Sequence, residues 1–81
     1  MSYYTTLRGL DMNKYSTPIA IYNLLQGKTA SYIIDAVTTS NLKSMLTIVS
    51  IEPSPTWTKH QMASAILSKL NKMNLNGELL N

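Results

Sequence analysis

Residues 16–37, STPIAIYNLLQGKTASYIIDAV, carry the pattern on which the fold prediction depends. The opening Ser16-Thr17-Pro18 is a typical helix start, because a hydroxyl side chain can cap unpaired backbone N–H groups and proline suits the first turn. The apolar residues that follow fall on one face of a helix: Ile21, Leu24 and Leu25. Gly27 comes directly after them, where a left-handed C-terminal cap is expected. We therefore predict a first helix over about residues 17–26.

The next two segments also show helical spacing. Thr29 can cap a second helix, whose buried stripe is predicted at Tyr32, Ile33, Ala36 and Val37. Thr38-Thr39-Ser40 interrupts this pattern, and Ser40 starts a third segment with apolar residues at Leu42, Met45, Leu46 and Val49. Residues 46–51 are also rich in residues that favour strands. We predict a short third helix that runs into an extended stretch.

The last segment is predicted to be the longest helix. Residues 52–55 form a rigid proline-containing connector, and Thr56 or Thr58 caps a helix over about residues 57–73. Its apolar arc is Met62, Ala63, Ile66, Leu67, Leu70 and Met73. Its polar arc is His60, Gln61, Ser64, Ser68, Asn71 and Lys72.

These segments predict a mainly α fold. The expected architecture is a small helix-turn-helix or winged-helix-like bundle of three to four helices, with a short strand at the N-terminus or at 46–51 as an option. Residues 1–15 are interpreted as an N-terminal arm or short strand, and residues 16–81 as a single helical domain.

The triplet Gly27-Lys28-Thr29 also ends the phosphate-binding loop of nucleotide hydrolases. That loop needs a glycine five residues before the Gly-Lys pair, and Tyr22 occupies the position here. The residues between belong to an amphipathic helix, whereas the motif should follow a strand. We therefore interpret Gly27 as a helix stop and Lys28 as a cation near the negative end of that helix.

Composition excludes several kinds of catalytic site. The 81 residues contain no cysteine and a single histidine, His60, so thiolate chemistry and a two-histidine metal site within one chain are excluded. The four acids, Asp11, Asp35, Glu52 and Glu78, do not pair locally, and no Gly-x-Ser-x-Gly motif is present. We predict a non-enzymatic protein without a cofactor. The absence of a long apolar run predicts no membrane association and a cytoplasmic location.

The charge is mild but unevenly distributed. The net charge is +3, far below that of most proteins that coat DNA. Between residues 53 and 77 the chain has Lys59, Lys69, Lys72 and His60 but no acid. Such a run is typical of a solvated helix face, and it also suits a polyanion or an acidic partner. Trp57 has two interpretations as well: a hydrophobic staple at the start of the last helix, or an exposed anchor for a partner protein.

The stretch from Ile21 to Ser31, which ends in Leu-x-Gly-Lys-Thr-Ala-Ser, resembles the opening of the helix-turn-helix domain attached to RecQ-type helicases and their partner proteins in Gram-positive bacteria. Asp35-Ala36, a leucine-rich segment over 42–51, the prolines at 53–55 and the closing Leu70–Leu75 are similar to the parts that follow in that family. The sequence departs from the family at Thr47-Ile48, where an aromatic-Gly pair is usual. The resemblance covers about residues 18–80 and implies a nucleic-acid-binding or helicase-associated accessory domain without chemistry of its own.

Two functions therefore stand nearly level. The first is a regulatory or accessory module that binds nucleic acid, with DNA as the expected form. Its contact residues are predicted to be Lys59, Gln61, Ser64, Ser68, Lys69, Asn71 and Lys72. In this hypothesis the lysines contact phosphates, and Gln61 or Asn71 reads base edges. The second is a protein-interaction domain or small inhibitor, of the type that phages and mobile elements encode, which would bind a host protein through Trp57. A homodimer that buries the remaining apolar surface is compatible with both.

Overall fold

The computed structural model describes residues 14–80, which fold into four α-helices and a final 3-10 turn. The helices are α1 (Pro18–Leu25), α2 (Ala30–Ala36), α3 (Thr39–Ile48) and α4 (Lys59–Leu75), and the 3-10 turn is Glu78–Leu80. No strand occurs within these residues. The mainly α prediction is confirmed. The predicted N-terminal arm or strand lies outside the described residues except for Lys14 and Tyr15, which form a turn and a bend.

A threonine caps the N-terminus of each of these four helices. The hydroxyl oxygens of Thr17, Thr29, Thr38 and Thr58 accept hydrogen bonds from the backbone N–H three residues later, at 3.1 to 3.3 Å. Each bond satisfies one of the N–H groups that a helix start leaves unpaired. The predicted starts of α1 and α2 are confirmed. Thr58 rather than Thr56 caps α4.

The corner between α1 and α2 has the predicted glycine-dependent geometry. Gln26 has φ −56° and ψ 130°, and Gly27 has φ 78°. These angles describe a type II turn, which places glycine at its third position. The turn closes with a hydrogen bond of 2.9 Å from the N–H of Lys28 to the carbonyl of Leu25. The turn ends α1 and lets Thr29 cap α2.

The optional strand at residues 46–51 does not form, because α3 continues to Ile48. Leu46 and Val49 are 0% and 1% exposed, so packing of the helical face outweighs the local preference of these residues for strands. The helix also begins at Thr39, earlier than the predicted Ser40.

A Schellman motif ends α3. The N–H of Ser50 donates to the carbonyl of Thr47 at 3.0 Å, and the N–H of Ile51 donates to the carbonyl of Leu46 at 2.8 Å. This motif requires a left-handed residue after the helix, and Ser50 takes that role with φ 66°. Both bonds satisfy carbonyls that the last turn would otherwise leave unpaired.

The last helix forms the centre of the bundle. α4 packs against α1, α2, α3 and the 3-10 turn. Its buried residues are Met62, Ala63, Ile66 and Leu70, which meet Ile21, Ile33, Leu42, Met45 and the other core residues. One arc of α4 is thus covered by the rest of the domain, and the opposite arc is left for solvent or a ligand.

Candidate nucleic-acid interface

The predicted contact residues of α4 divide into an exposed set and two outlying lysines. Gln61, Ser68, Asn71 and Lys72 are exposed, and Ser64 is half-buried. At about 100° per residue these five side chains share the arc opposite the core. This arc is called the polar face of α4 below.

The two outlying lysines are half-buried. Lys59 comes four residues before Ala63 and seven before Ile66, and both of these are buried. Residues at this spacing share one face of a helix, so Lys59 lies on the core side of the first turn. Lys69 lies at the border between the polar face and the core, four residues before the half-buried Met73. Of the three lysines of α4, Lys72 is therefore the one that lies entirely on the polar face.

Gln61 has a structural role at the start of α4. Its side-chain oxygen accepts a hydrogen bond of 2.7 Å from the N–H of Thr58, and its own N–H donates to the Thr58 hydroxyl at 3.2 Å. This reciprocal pair is a capping box. The side-chain oxygen of Gln61 is thus already hydrogen-bonded within the protein. Of the two predicted base readers, Asn71 is the one whose side-chain amide makes no hydrogen bond within residues 14–80.

A groove of about 400 Å³ separates α4 from the α1–α2 corner. Ser68 and Asn71 of the polar face lie on one side of it, and Gln26, Gly27 and Lys28 lie on the other. We call it the corner groove. The groove brings Gly27 and Lys28 close to two of the predicted contact residues, Ser68 and Asn71. From the sequence, Gly27 and Lys28 are interpreted only as a helix boundary.

Apolar side chains complete the corner groove. Leu25 and Leu70 are nearly completely buried, while Leu67 and Tyr22 are half-buried. The groove therefore has leucines beneath polar groups at its rim. Sequence reasoning missed Tyr22, Gln26 and Lys28 as site residues, because their approach to α4 depends on packing between segments about forty positions apart.

The electrostatics of the corner groove favour an anion. Lys28 is its lysine, and no aspartate or glutamate lines it. The Lys28 ammonium lies 5.1 Å from the centre of the Tyr32 ring, within range of a cation–π interaction. Lys72 directly follows the groove residue Asn71 on α4, which extends the positive charge beyond the groove.

Trp57 lies on the other side of the start of α4. It is half-buried, packs against the core, and lines a cavity of about 240 Å³ together with Met62 and the prolines of the connector. Trp57 precedes the cap Thr58 and Met62 is the fourth helical residue, which are the two positions of a hydrophobic staple. The geometry thus favours the staple interpretation, and Trp57 remains partly accessible.

The exposed end of α4 carries one apolar residue. Leu75 is 77% exposed, and it lies seven residues after Ser68 on the same face. His60 is also exposed, in the first turn. Within the described part of the chain, no group of three or more histidine, aspartate or glutamate residues could hold a metal ion. None of the helices between residues 14 and 80 has the length and apolar character needed to cross a membrane.

No protein-family model matches the chain, and no curated protein or solved structure matches it significantly.

Proposed function

We propose that the protein is a small non-enzymatic module that binds nucleic acid through the polar face of α4 and the corner groove beside it. The observation that carries the proposal is that α4 and the α1–α2 corner, two positively charged segments without acidic residues, lie side by side. Lys28 of the α1–α2 corner lines one concave surface with Ser68 and Asn71 of the polar face, and the lining contains no carboxylate. Lys72 follows Asn71 directly on α4.

Such a surface suits the phosphate backbone. Binding to a phosphate chain releases condensed counterions, so even a mildly charged protein gains affinity from a few well-placed lysines. The candidates are Lys28, Lys69 and Lys72. Three phosphate contacts predict that affinity falls between about 20-fold and 40-fold when salt rises from roughly 50 to 200 mM. Ser68 and Asn71 then supply hydrogen bonds to sugars or bases.

The proposal keeps the helix-turn-helix resemblance as an expectation. A turn of two residues, Val37 and Thr38, joins α2 to α3, and the longest helix follows a proline-containing connector. On the proposal the protein acts as an accessory or regulatory domain, and a larger protein or complex performs the chemistry.

The test is a salt series with charge variants. Lys69→Ala combined with Lys72→Ala should weaken binding of a labelled oligonucleotide about tenfold at 50 mM salt, because each lost phosphate contact removes both affinity and salt dependence. Fluorescence anisotropy at 50, 100 and 200 mM salt measures both quantities. The matched control is Lys14→Ala with Lys43→Ala, which removes the same charge from exposed positions outside α4.

Two results would refute this assignment. Binding by the Lys69/Lys72 variant that matched the wild-type protein at every salt concentration would remove the role of α4. A larger loss in the Lys14/Lys43 control would move the interface to α3 and the residues before α1.

The alternative function is that of a protein-interaction domain or small inhibitor of a host protein. Leu75 supports it, because a leucine that is 77% exposed at a helix end can insert into a partner. Trp57, with its accessible part, is a second anchor. If this function is correct, Leu75→Asp and Trp57→Ala reduce partner capture and the Lys69/Lys72 variant does not.

A homodimer is tested separately. Light scattering at two concentrations would detect a dimer, and Leu75→Asp should abolish it if Leu75 lies in the interface.

A further inference from the structure

We infer that the corner groove holds one unstacked base of a single-stranded nucleic acid, with Lys28 against the adjoining phosphate. This inference rests on the proposed nucleic-acid binding and specifies the form of nucleic acid that the protein prefers. It follows from the shape of the groove, the chemistry of its rim and the position of its one lysine.

The first argument is shape. At about 400 Å³ the corner groove falls within the range of pockets that take small ligands, although the domain has only 81 residues. Its lower part consists of Leu25, Leu67 and Leu70, and Tyr22 adds an aromatic ring. A nucleobase is a flat ring with apolar faces and polar edges, and proteins commonly bind such rings against aromatic and aliphatic side chains.

The second argument is the rim. Gln26 and Asn71 each offer an amide, which both donates and accepts hydrogen bonds, and Ser68 offers a hydroxyl. All three residues are exposed, and no hydrogen bond within residues 14–80 uses their side chains. The rim can therefore pair with the Watson–Crick edge of a base without breaking contacts inside the protein.

The third argument is charge. Lys28 stands at the groove and close to the Tyr32 ring, which restrains its long side chain. No carboxylate lines the groove, so a phosphate beside the bound base meets attraction without an opposing charge. Lys72 lies one position beyond Asn71 and can contact a neighbouring phosphate of the same strand. The spacing thus suits a backbone that passes along α4.

Concavity favours a single strand over a duplex. A helix that reads duplex DNA projects into the major groove, which is about 12 Å wide and just admits it. Here the polar side chains Ser68 and Asn71 lie on the side of a recess, with the Gln26–Lys28 corner beside them. A stacked and paired base cannot enter a recess, whereas an unpaired base can turn into it.

The experiment compares a labelled 12-nucleotide strand with its duplex by fluorescence anisotropy at 50 mM salt. We expect the single strand to bind about tenfold more tightly, since base stacking on a protein surface contributes roughly fivefold or more per base. Gln26→Ala combined with Asn71→Ala should weaken single-strand binding about tenfold and duplex binding by a clearly smaller factor, because a paired base does not enter the groove.

The matched control is Asn23→Ala with Asn74→Ala. These two amides are exposed on the same helices, α1 and α4, but do not line the corner groove. The control should bind both forms as the wild-type protein does. A second pair tests stacking: Tyr22→Phe should retain single-strand binding, and Tyr22→Leu should lose about tenfold. Circular dichroism of each variant verifies that the helices are intact.

The outcomes separate the two proposals. Equal affinity for strand and duplex, or wild-type binding by the Gln26/Asn71 variant, overturns the base-in-groove inference and leaves nucleic-acid binding in place. Competition by a free mononucleotide as strong as that by the strand overturns it as well, because the groove would then be a nucleotide site. Absence of binding to either form at 50 mM salt refutes both.

Discussion

The α1–α2 corner and the end of α3 both reverse the chain through a residue in the left-handed region, but with different residue types. Gly27 has φ 78° at the corner, and Ser50 has φ 66° after α3. Glycine adopts this conformation without steric cost, whereas serine pays about 1–2 kcal/mol for it. The conformation of the corner is thus favoured by the local sequence itself, through Gly27. The end of α3 is held by the burial of Leu46 and Val49 and by the two hydrogen bonds of the Schellman motif.

The strongest test of this comparison removes the burial that holds α3. Leu46→Ala should lower the free energy of unfolding by about 2–5 kcal/mol, because Leu46 is 0% exposed and its truncation leaves a cavity. Urea denaturation followed by far-ultraviolet circular dichroism measures the loss. The control is Leu75→Ala, where the side chain is 77% exposed and we expect a change within about 0.5 kcal/mol. Equal effects of the two substitutions would contradict the packing account.

The second test makes the corner resemble the end of α3. Gly27→Ala should destabilise the protein by about 1–2 kcal/mol, because alanine must adopt φ 78° there. A Cβ atom at Gly27 would meet no atom within 4 Å, so the cost comes from the backbone alone. Gly77→Ala is a matched case, with φ 75° and the same open surroundings, and should cost a similar amount. A neutral result at both positions in thermal denaturation would disprove the conformational argument.

The smallest effect has the opposite sign. Ser50→Gly should stabilise the protein by about 0.5–1 kcal/mol, since relief of the left-handed strain exceeds the added entropy of the unfolded chain. For a domain of this size the melting temperature should rise by roughly 2–8 °C. Ser44→Gly is the control: Ser44 is exposed inside α3, where glycine is expected to cost about 0.5 kcal/mol. A fall in melting temperature for Ser50→Gly would show that serine makes a contact worth more than the strain.

The same contrast explains how far the sequence predicts the fold. α1, α2 and α4 were predicted within about two residues at each end, because threonine caps, Pro18 and Gly27 are local signals. The end of α3 was missed since Ser50 is an unusual residue for a left-handed cap, and the β-branched residues before it favour a strand. The deciding force there is burial against other helices. The helical spacing of Leu42, Met45, Leu46 and Val49 indicates the buried face but does not show where the helix ends.

The candidate site divides in a similar way. The exposure of Ser68, Asn71 and Lys72 follows from the helical period of α4 and was predictable. The position of Lys59 on the core side of α4 also follows from the sequence, because Lys59 is four residues before Ala63 and seven before Ile66. Tyr22, Gln26 and Lys28 join the site only through the packing of α1 on α4, so their role became visible from the structure alone.

The threonine caps have a consequence for the electric field around the protein. Each of the four described helices begins with a neutral hydroxyl and has no acidic residue in its first turn. The partial positive charge at each helix start, equivalent to roughly half a proton charge, is therefore not cancelled by a carboxylate in the first turn of the same helix. The same choice makes the caps insensitive to acid, because a threonine hydroxyl has no proton to gain in the range where aspartate caps titrate. The four caps themselves therefore do not change with pH while the domain is folded.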